Sequence, residues 1–207
     1  FPITRTINKH LLPIYDKPLI YYPLSNLILA GCKEILIVSN PDSLNKLKNQ
    51  LGDGSKFGIK LSYVQQMSPE GIPSAIYLAK SFSENEDIWV SLGDNLIFGS
   101  RIKELYDEVN KSEEATIFIK HVGSIYGFGS VRLENDKIID LEEKPKSKSN
   151  GWAVTGLYRF PNSVFELIPT IKPSERNETE IIDLIDIYLS NKNLNYKIFG
   201  RGVTSVS

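Results

Sequence analysis

The sequence predicts an α/β fold, a single domain with a mixed, mostly parallel central sheet and helices on its faces. Three observations carry this reading. Short apolar runs alternate with amphipathic helical segments through the first half. The second half turns strand-rich, with a turn signal between two of its strands. The chain has 207 residues, 41% hydrophobic and 24% charged, which is enough for one sizeable core.

The elements follow in order. Pro18 reads as a first-turn residue of a helix that Gly31 ends, with Pro23 kinking its interior. Ile35–Val38 is a continuous apolar run, the pattern of a strand buried on both faces. A helix over Asp42–Leu51 presents Leu44, Leu47 and Leu51 on one face and stops at Gly52. Ile59–Val64 reads as a strand and Pro73–Phe82 as a helix. Ile88–Leu92 is another buried strand, ending in Gly93-Asp94-Asn95. Ser100 reads as the cap of a helix whose face is Ile102, Leu105, Tyr106 and Val109. Strands follow at Ala115–Val122, Val131–Glu134, Lys137–Glu142 and Trp152–Phe160, with Asn135-Asp136 as a hairpin turn. The polar stretch Lys144–Gly151 reads as a loop inside the domain. A last helix covers Ile181–Leu189, and Asn177 with Glu180 resembles a capping box before it.

Composition narrows the function. Lys plus Arg is 24 and Asp plus Glu is 25, so the net charge is −1 and no overall basic excess calls for nucleic acid. The single cysteine, Cys32, allows neither an internal disulfide nor a cysteine-rich zinc site, so a reducing compartment is expected. No basic stretch leads into an apolar run at the N-terminus. The longest apolar stretch, Leu19–Ala30, is interrupted by Pro23, Ser25 and Asn26. A bilayer needs ~20 apolar residues. The expectation is a cytoplasmic protein with no membrane and no nucleic-acid partner.

In open α/β sheets ligands bind beyond the carboxyl ends of the strands. Asp94 after Gly93 suits a Mg²⁺ ion bound to phosphate, although Gly-Asp-Asn is also ordinary turn chemistry. Gln66 offers an amide donor and acceptor to a base edge, and Gly71 lets a ligand approach the main chain; the bland alternative is a connecting loop. Glu143-Lys144 at a strand end pairs an acid for sugar hydroxyls with a base for phosphate, or else is a solvated charge run. Lys9 in an N-terminal loop suits a triphosphate. Other chemistries fall away. His10 and His121 have no metal-ligand spacing, and there is no Gly-x-Ser-x-Gly elbow. Gly127-Phe128-Gly129 precedes a strand and has Arg132 where a dinucleotide fingerprint needs its third glycine. Cys32, next to Gly31, reads as packing.

Taken together and in order, these segments carry a resemblance. Asn8–Ser25 (NKHLLPIYDKPLIYYPLS), Leu51–Gly54, Gln66 to Gly71, Leu92–Asn95, Leu141–Pro145, Ala153–Tyr158 and Glu180–Asp183 resemble the glucose-1-phosphate thymidylyltransferase branch of the sugar-nucleotide pyrophosphorylases. The resemblance implies a Rossmann-like three-layer nucleotidyltransferase fold of the GT-A-like type. It implies transfer of a nucleotidyl group from dTTP to glucose 1-phosphate, with Mg²⁺ as cofactor and a homo-oligomer, commonly a tetramer. It assigns Lys9 to the triphosphate, Gln66 and Gly71 to the pyrimidine, and Asp94 to Mg²⁺ near the nucleoside sugar. Phe128-Gly129 fills the place of an aromatic–glycine pair at the sugar site. Glu143 is assigned to glucose hydroxyls and Lys144 to the sugar phosphate, with Asn95, Tyr158 and Arg176 around them. Two alternatives stand beside it: the same fold acting on UTP or another sugar phosphate, and a non-catalytic homologue that binds a nucleotide sugar.

The family opens with a strand and a Gly-rich loop carrying a catalytic arginine, and it supplies a second metal-binding aspartate from a later segment. The chain printed here opens on Phe1 and ends at Ser207 without either. The expectation is a nucleotidyltransferase domain over 1–207 that lacks those margins, and 207 residues that turn over poorly by themselves.

Overall fold

A computed structural model describes residues 8–174 and 176–200, and the backbone of 203–206. The readings attached to Phe1 and to the chain end at Ser207 lie outside these residues. In chain order the first half holds β1 (Pro13–Ile14), β2 (Lys17–Pro18), α1 (Tyr21–Leu29), β3 (Glu34–Ser39), α2 (Pro41–Leu51), β4 (Lys60–Gln65), α3 (Ile72–Tyr77), β5 (Ile88–Ser91), β6 (Leu96–Gly99) and α4 (Ile102–Val109). The second half holds β7 (Ala115–Val122), β8 (Ser130–Glu134), β9 (Lys137–Glu142), β10 (Gly151–Phe160), α5 (Val164–Leu167), α6 (Ile181–Ser190), β11 (Leu194–Ile198) and β12 (Val203–Val206).

The sheet is organised around β10, whose run GWAVTGLYRF is rich in the β-branched and aromatic residues that suit a pleated surface. One edge of β10 bonds β7 antiparallel. The other edge changes partner: Trp152 and Ala153 face β8, while Leu157–Phe160 face β5. Between them the register against β7 shifts, and the Gly156 carbonyl accepts from the Leu92 N–H at 2.8 Å. Loops from both partners meet β10 at this change. Leu92 and Asn95 approach Gly156 from the β5 side, and Gly129 bonds Val154 from the β8 side, with Lys144 bonded to Phe128 beside it.

Side chains of β7 alternate across the sheet, as a period of two requires. Ala115, Ile117 and Ile119 pack on one face against Ile76, Phe165, Leu184, Ile185 and Tyr188 of α3, α5 and α6. Phe118 turns to the other face, against Tyr106 of α4, Leu157 and Phe199. Helices therefore cover both faces and make three layers. A third cluster joins α1 and α2 to β3 and β4 through Leu24, Leu47, Leu51, Ile35 and Leu61. β3 pairs in parallel with β4 from Glu34–Lys60 to Ser39–Gln65. Among the described residues the other edge of β3, and the edge of β5 away from β10, have no strand partner. Both line a cleft of about 1320 Å³ that also takes in Gln66, Gly71 and Gly93.

Several local expectations change. Pro18 lies in a two-strand hairpin opposite Pro13, and the helix starts only at Tyr21. Pro23 is then a first-turn residue, where no intrahelical partner is lost, so it does not kink an interior. The helix after Gly71 is α-helical only to Tyr77; Ala79, Lys80 and Phe82 bond three residues back in successive turns. Arg101, at φ 62°, rather than Ser100, precedes α4. Asn177 does not cap α6; Glu180 occupies the cap position and its carboxylate serves Ser174 and Arg176 instead. The hairpin at Asn135-Asp136 forms, both residues at positive φ. The sheet is mixed, but among the described pairs only β3–β4 and β7–β11 are parallel. The reason is β10, whose three partners all run antiparallel to it. No helix among the described residues is long and apolar enough to cross a membrane.

Candidate active site

Lys9 sits in a short 3-10 turn, Lys9–Leu11, whose start is capped by the Asn8 side chain accepting from the His10 N–H at 2.9 Å. The Ile20 N–H donates to the His10 carbonyl at 2.9 Å, so the turn is tied to the entry of α1. From there the Lys9 ammonium reaches the Asp94 carboxylate in an ion pair, with the lysine half exposed and the aspartate less so. Gly93 leaves little room beside them. A Cβ there would lie 3.1 Å from Cδ2 and Nε2 of His10, so the imidazole packs on the glycine and backs the turn that carries Asp94. Burial pulls the His10 imidazole below its ordinary pKa; the Asp94 charge opposes that shift and the Lys9 charge adds to it. His10 is thus a neutral wedge at pH 7.

Asn95 is buried under Gly156, against which its amide is pressed, and neither amide atom has a partner among the described residues. It lies one layer below the surface. Gln66 closes β4, donates through Nε2 to the Gly71 carbonyl at 3.4 Å, and is held by its own N–H on Ser39 O at 2.9 Å. Gly71, at φ 98°, has the Thr179 carbonyl where a side chain would begin. The close approach expected at this glycine is made by the protein's own backbone.

The second group of residues gathers around Glu143. The Lys144 N–H donates to Phe128 O at 3.1 Å, and the Val154 N–H to Gly129 O at 2.8 Å. A Cβ on Gly129 would lie 2.6 Å from Cδ1 of Ile182 and 3.8 Å from Oε2 of Glu143, so this glycine lets α6 approach the sheet. Around the Glu143 carboxylate stand Lys144 Nζ at 3.4 Å and Arg176 Nη2 at 3.7 Å. Burial raises the Glu143 pKa; the Lys144 charge opposes, the Glu180 charge adds, and Arg176 opposes. Tyr158 lies buried beneath, its hydroxyl pKa raised by burial and by the Glu143 charge.

The structure therefore brings Lys9 to Asp94, Gln66 to Gly71, and Gly129, Glu143, Lys144, Tyr158 and Arg176 to one cluster. Residues that local reading passed over join these groups. Thr179 donates twice to Glu70 O, through N–H and Oγ1, each at 2.8 Å, and its hydroxyl lies 3.2 Å from that of Ser74. Glu180 and Ser174 hold Arg176. Glu180 has two sequence signals, the spacing of a helix cap and its place in the resembling segment Glu180–Asp183; Ser174 has none. Among the described residues no three His, Cys, Asp or Glu side chains gather as a metal cage. Asp94 alone suits a hydrated cation shared with phosphate oxygens, which is how Mg²⁺ is commonly held.

The family model described as nucleotidyl transferase matches residues 1–203. A glucose-1-phosphate thymidylyltransferase of Neisseria meningitidis is 43% identical over 204 residues, covering 98% of this chain and 71% of the relative. A Bacillus anthracis structure, named as a candidate glucose-1-phosphate thymidylyltransferase in complex with sucrose, superimposes with a TM-score of 0.89 at 34% identity, over 99% of this chain and 83% of that one. A UDP-glucose pyrophosphorylase complexed with UDP-glucose gives 0.81 at 27% identity, over 99% and 86%.

Proposed function

Because the chain belongs to the nucleotidyl transferase family, we propose that it transfers a thymidylyl group from dTTP to glucose 1-phosphate. A phosphate oxygen of the sugar phosphate forms a bond to the α-phosphorus of dTTP. The bond from that phosphorus to the bridging oxygen breaks, and pyrophosphate leaves with the electron pair. The products are dTDP-glucose and pyrophosphate. The attacking oxygen is already ionised, so the protein needs no base; it must bring together two anions and neutralise them. The observation that carries this reading is the likeness to the thymidylyltransferases along nearly the whole chain.

In this reading Lys9 meets the triphosphate from its seat beside Asp94, and Lys144 holds the attacking phosphate. Glu143 accepts from glucose hydroxyls, and Arg176 adds a second cation at the sugar phosphate. Gln66 reads the base. Magnesium, when bound, spreads the charge of the triphosphate, and Asp94 is the carboxylate that would hold it. Asn95 works from below, under the loop that carries Asp94. Pyrophosphate release by the full-length gene product with glucose 1-phosphate should be fastest with dTTP. No release with any nucleoside triphosphate and sugar phosphate would overturn the reading.

A second reading keeps the chemistry and exchanges dTTP for UTP. The likeness to the UDP-glucose enzyme favours it, and Gln66 accommodates either base, because thymine and uracil offer an amide the same hydrogen-bonding edge. The ratio of kcat/KM for dTTP and UTP separates the two.

A further inference from the structure

We propose that Glu180 is a positioning residue of the sugar-phosphate half of the site: it anchors Arg176 so that the guanidinium faces the bound phosphate instead of closing onto Glu143. The inference rests on the functional reading above and deepens it.

Arg176 has two carboxylates within 4 Å, and the charge of Glu178 also bears on it. Its Nη2 lies 2.7 Å from Oε1 of Glu180 and 3.7 Å from Oε1 of Glu143. Glu180 is the fixed partner. Its side chain is 11% exposed against 46% for Arg176. The same oxygen, Oε1, accepts from the Ser174 hydroxyl at 2.8 Å, which sets the rotamer of the carboxylate. The loop between them is closed by backbone bonds, Ser174 N–H to Glu178 O and Asn177 N–H to Ser174 O, both at 2.8 Å, with Asn177 at φ 58°. This is a tight loop with its arginine tethered back to the residue that starts α6, and no helical ladder is involved. Burial pushes the Glu180 carboxyl up, but the Ser174 and Arg176 hydrogen bonds and the Arg176 and Lys144 charges outweigh it, so the group is ionised at neutral pH.

Without that charge, Arg176 still feels Glu178 and Glu143; of these Glu143, at 3.7 Å, is the one already within ion-pair reach, and it already has Lys144 at 3.4 Å. Two cations would then cap Glu143, and its oxygens would no longer be free for sugar hydroxyls. The groups that face Glu143 are Lys144 beside it, Arg176 and Glu180 from the loop before α6, and Tyr158 from β10. Loss of the Glu180 charge and approach of Arg176 both favour the ionised form of Glu143. The Glu143 titration should therefore move to lower pH.

The test is steady-state kinetics of wild type, Glu180→Gln, Glu180→Asp, Arg176→Met and the Glu180→Gln/Arg176→Met double variant. In Glu180→Gln the KM for glucose 1-phosphate should rise about tenfold or more, the size of a lost charge-assisted hydrogen bond, with the KM for dTTP within about twofold. The acid limb of kcat/KM should shift to lower pH. Glu180→Asp, which keeps the charge, should recover part of the loss. In the Arg176→Met background the Glu180 change should add little, because it acts through the arginine. Equal costs with and without Arg176, or an unmoved acid limb, would overturn the proposal. If Glu180→Gln does not fold, the Glu180→Asp and Arg176→Met variants alone carry the comparison, and an unchanged KM in both overturns it. All variants are made in the full-length gene product; if its wild type shows no turnover, the activity reading fails by itself. The proposal is then read from calorimetric binding of glucose 1-phosphate, and absence of that binding overturns both.

Discussion

Glu143 shows what a partly buried carboxylate costs its fold. It is half withdrawn from water, and burial makes its charged form less stable than in the unfolded chain. The sign follows from the raised pKa. At neutral pH the folded protein carries a penalty for the ionised group, and the penalty disappears as pH falls through the raised value. Glu143→Gln should therefore unfold at the same or a higher temperature than wild type at pH 7, and the difference should close in acid. Sugar-phosphate binding should move the opposite way, with KM raised about tenfold or more at pH 7. Wild type should approach the variant at a pH above the 4.5 of an ordinary glutamate. Comparing the two proteins at each pH cancels the titration of the ligand. A variant that lost stability at pH 7 without a change in KM would show the residue to be structural. Lys9, Gln66, Asp94 and Glu143-Lys144 stand out in the sequence as charged or amide groups at strand ends or in a loop between apolar segments. The role of Glu180 was hidden, because its spacing from Asn177 is that of a helix cap and only the backbone shows the cap unmade.

Elements are held together by a few buried polar joints. Asn26 is one, a break in the apolar run of α1 that sequence alone presents as an interruption. It is 1% exposed and has three bonds: Nδ2 donates to Tyr22 O at 2.9 Å and to Ile97 O at 3.0 Å, and Oδ1 accepts from the Tyr106 hydroxyl at 2.8 Å. It thus pins α1 to β6 and to α4. Asn26→Leu should lower stability by about 2–4 kcal/mol, because a carbonyl and a hydroxyl are left buried without partners. Adding Tyr106→Phe should restore part of it, measured by urea midpoints at unchanged slope. A loss below about 0.5 kcal/mol would mean water replaces the joint. The element scale also separates what local pattern can and cannot tell. β7 and β10 were legible because long β-branched and aromatic runs leave little choice. β6, β11 and β12 were not. β6 is four residues long and pairs with Val203–Val206, a hundred residues on, and no local period encodes that partner. The false helix start at Pro18 came from proline's preference for first turns, which a two-residue bridge to Pro13 overrode.

At the scale of the molecule the sides proposed for the base and for the sugar meet at one point. The Thr179 N–H and hydroxyl hold Glu70 O, and the Thr179 carbonyl occupies the side-chain position of Gly71. A methyl group at Gly71 has no room and would also meet an unfavourable φ of 98°. Gly71→Ala should therefore displace both loops and lower kcat/KM by about 10- to 100-fold, with the KM for glucose 1-phosphate affected as well as that for dTTP. An effect confined to the nucleotide would disprove the linkage. The same contact bears on how such a protein can be altered. Loops that touch only solvent can be exchanged between relatives one at a time, as independent cassettes. Here the segment around Gly71 and the segment around Thr179 form a lock and its key, so a graft that changes the sugar preference must carry the matching base loop with it. A chimera made from one alone inherits a misfit at the centre of its site.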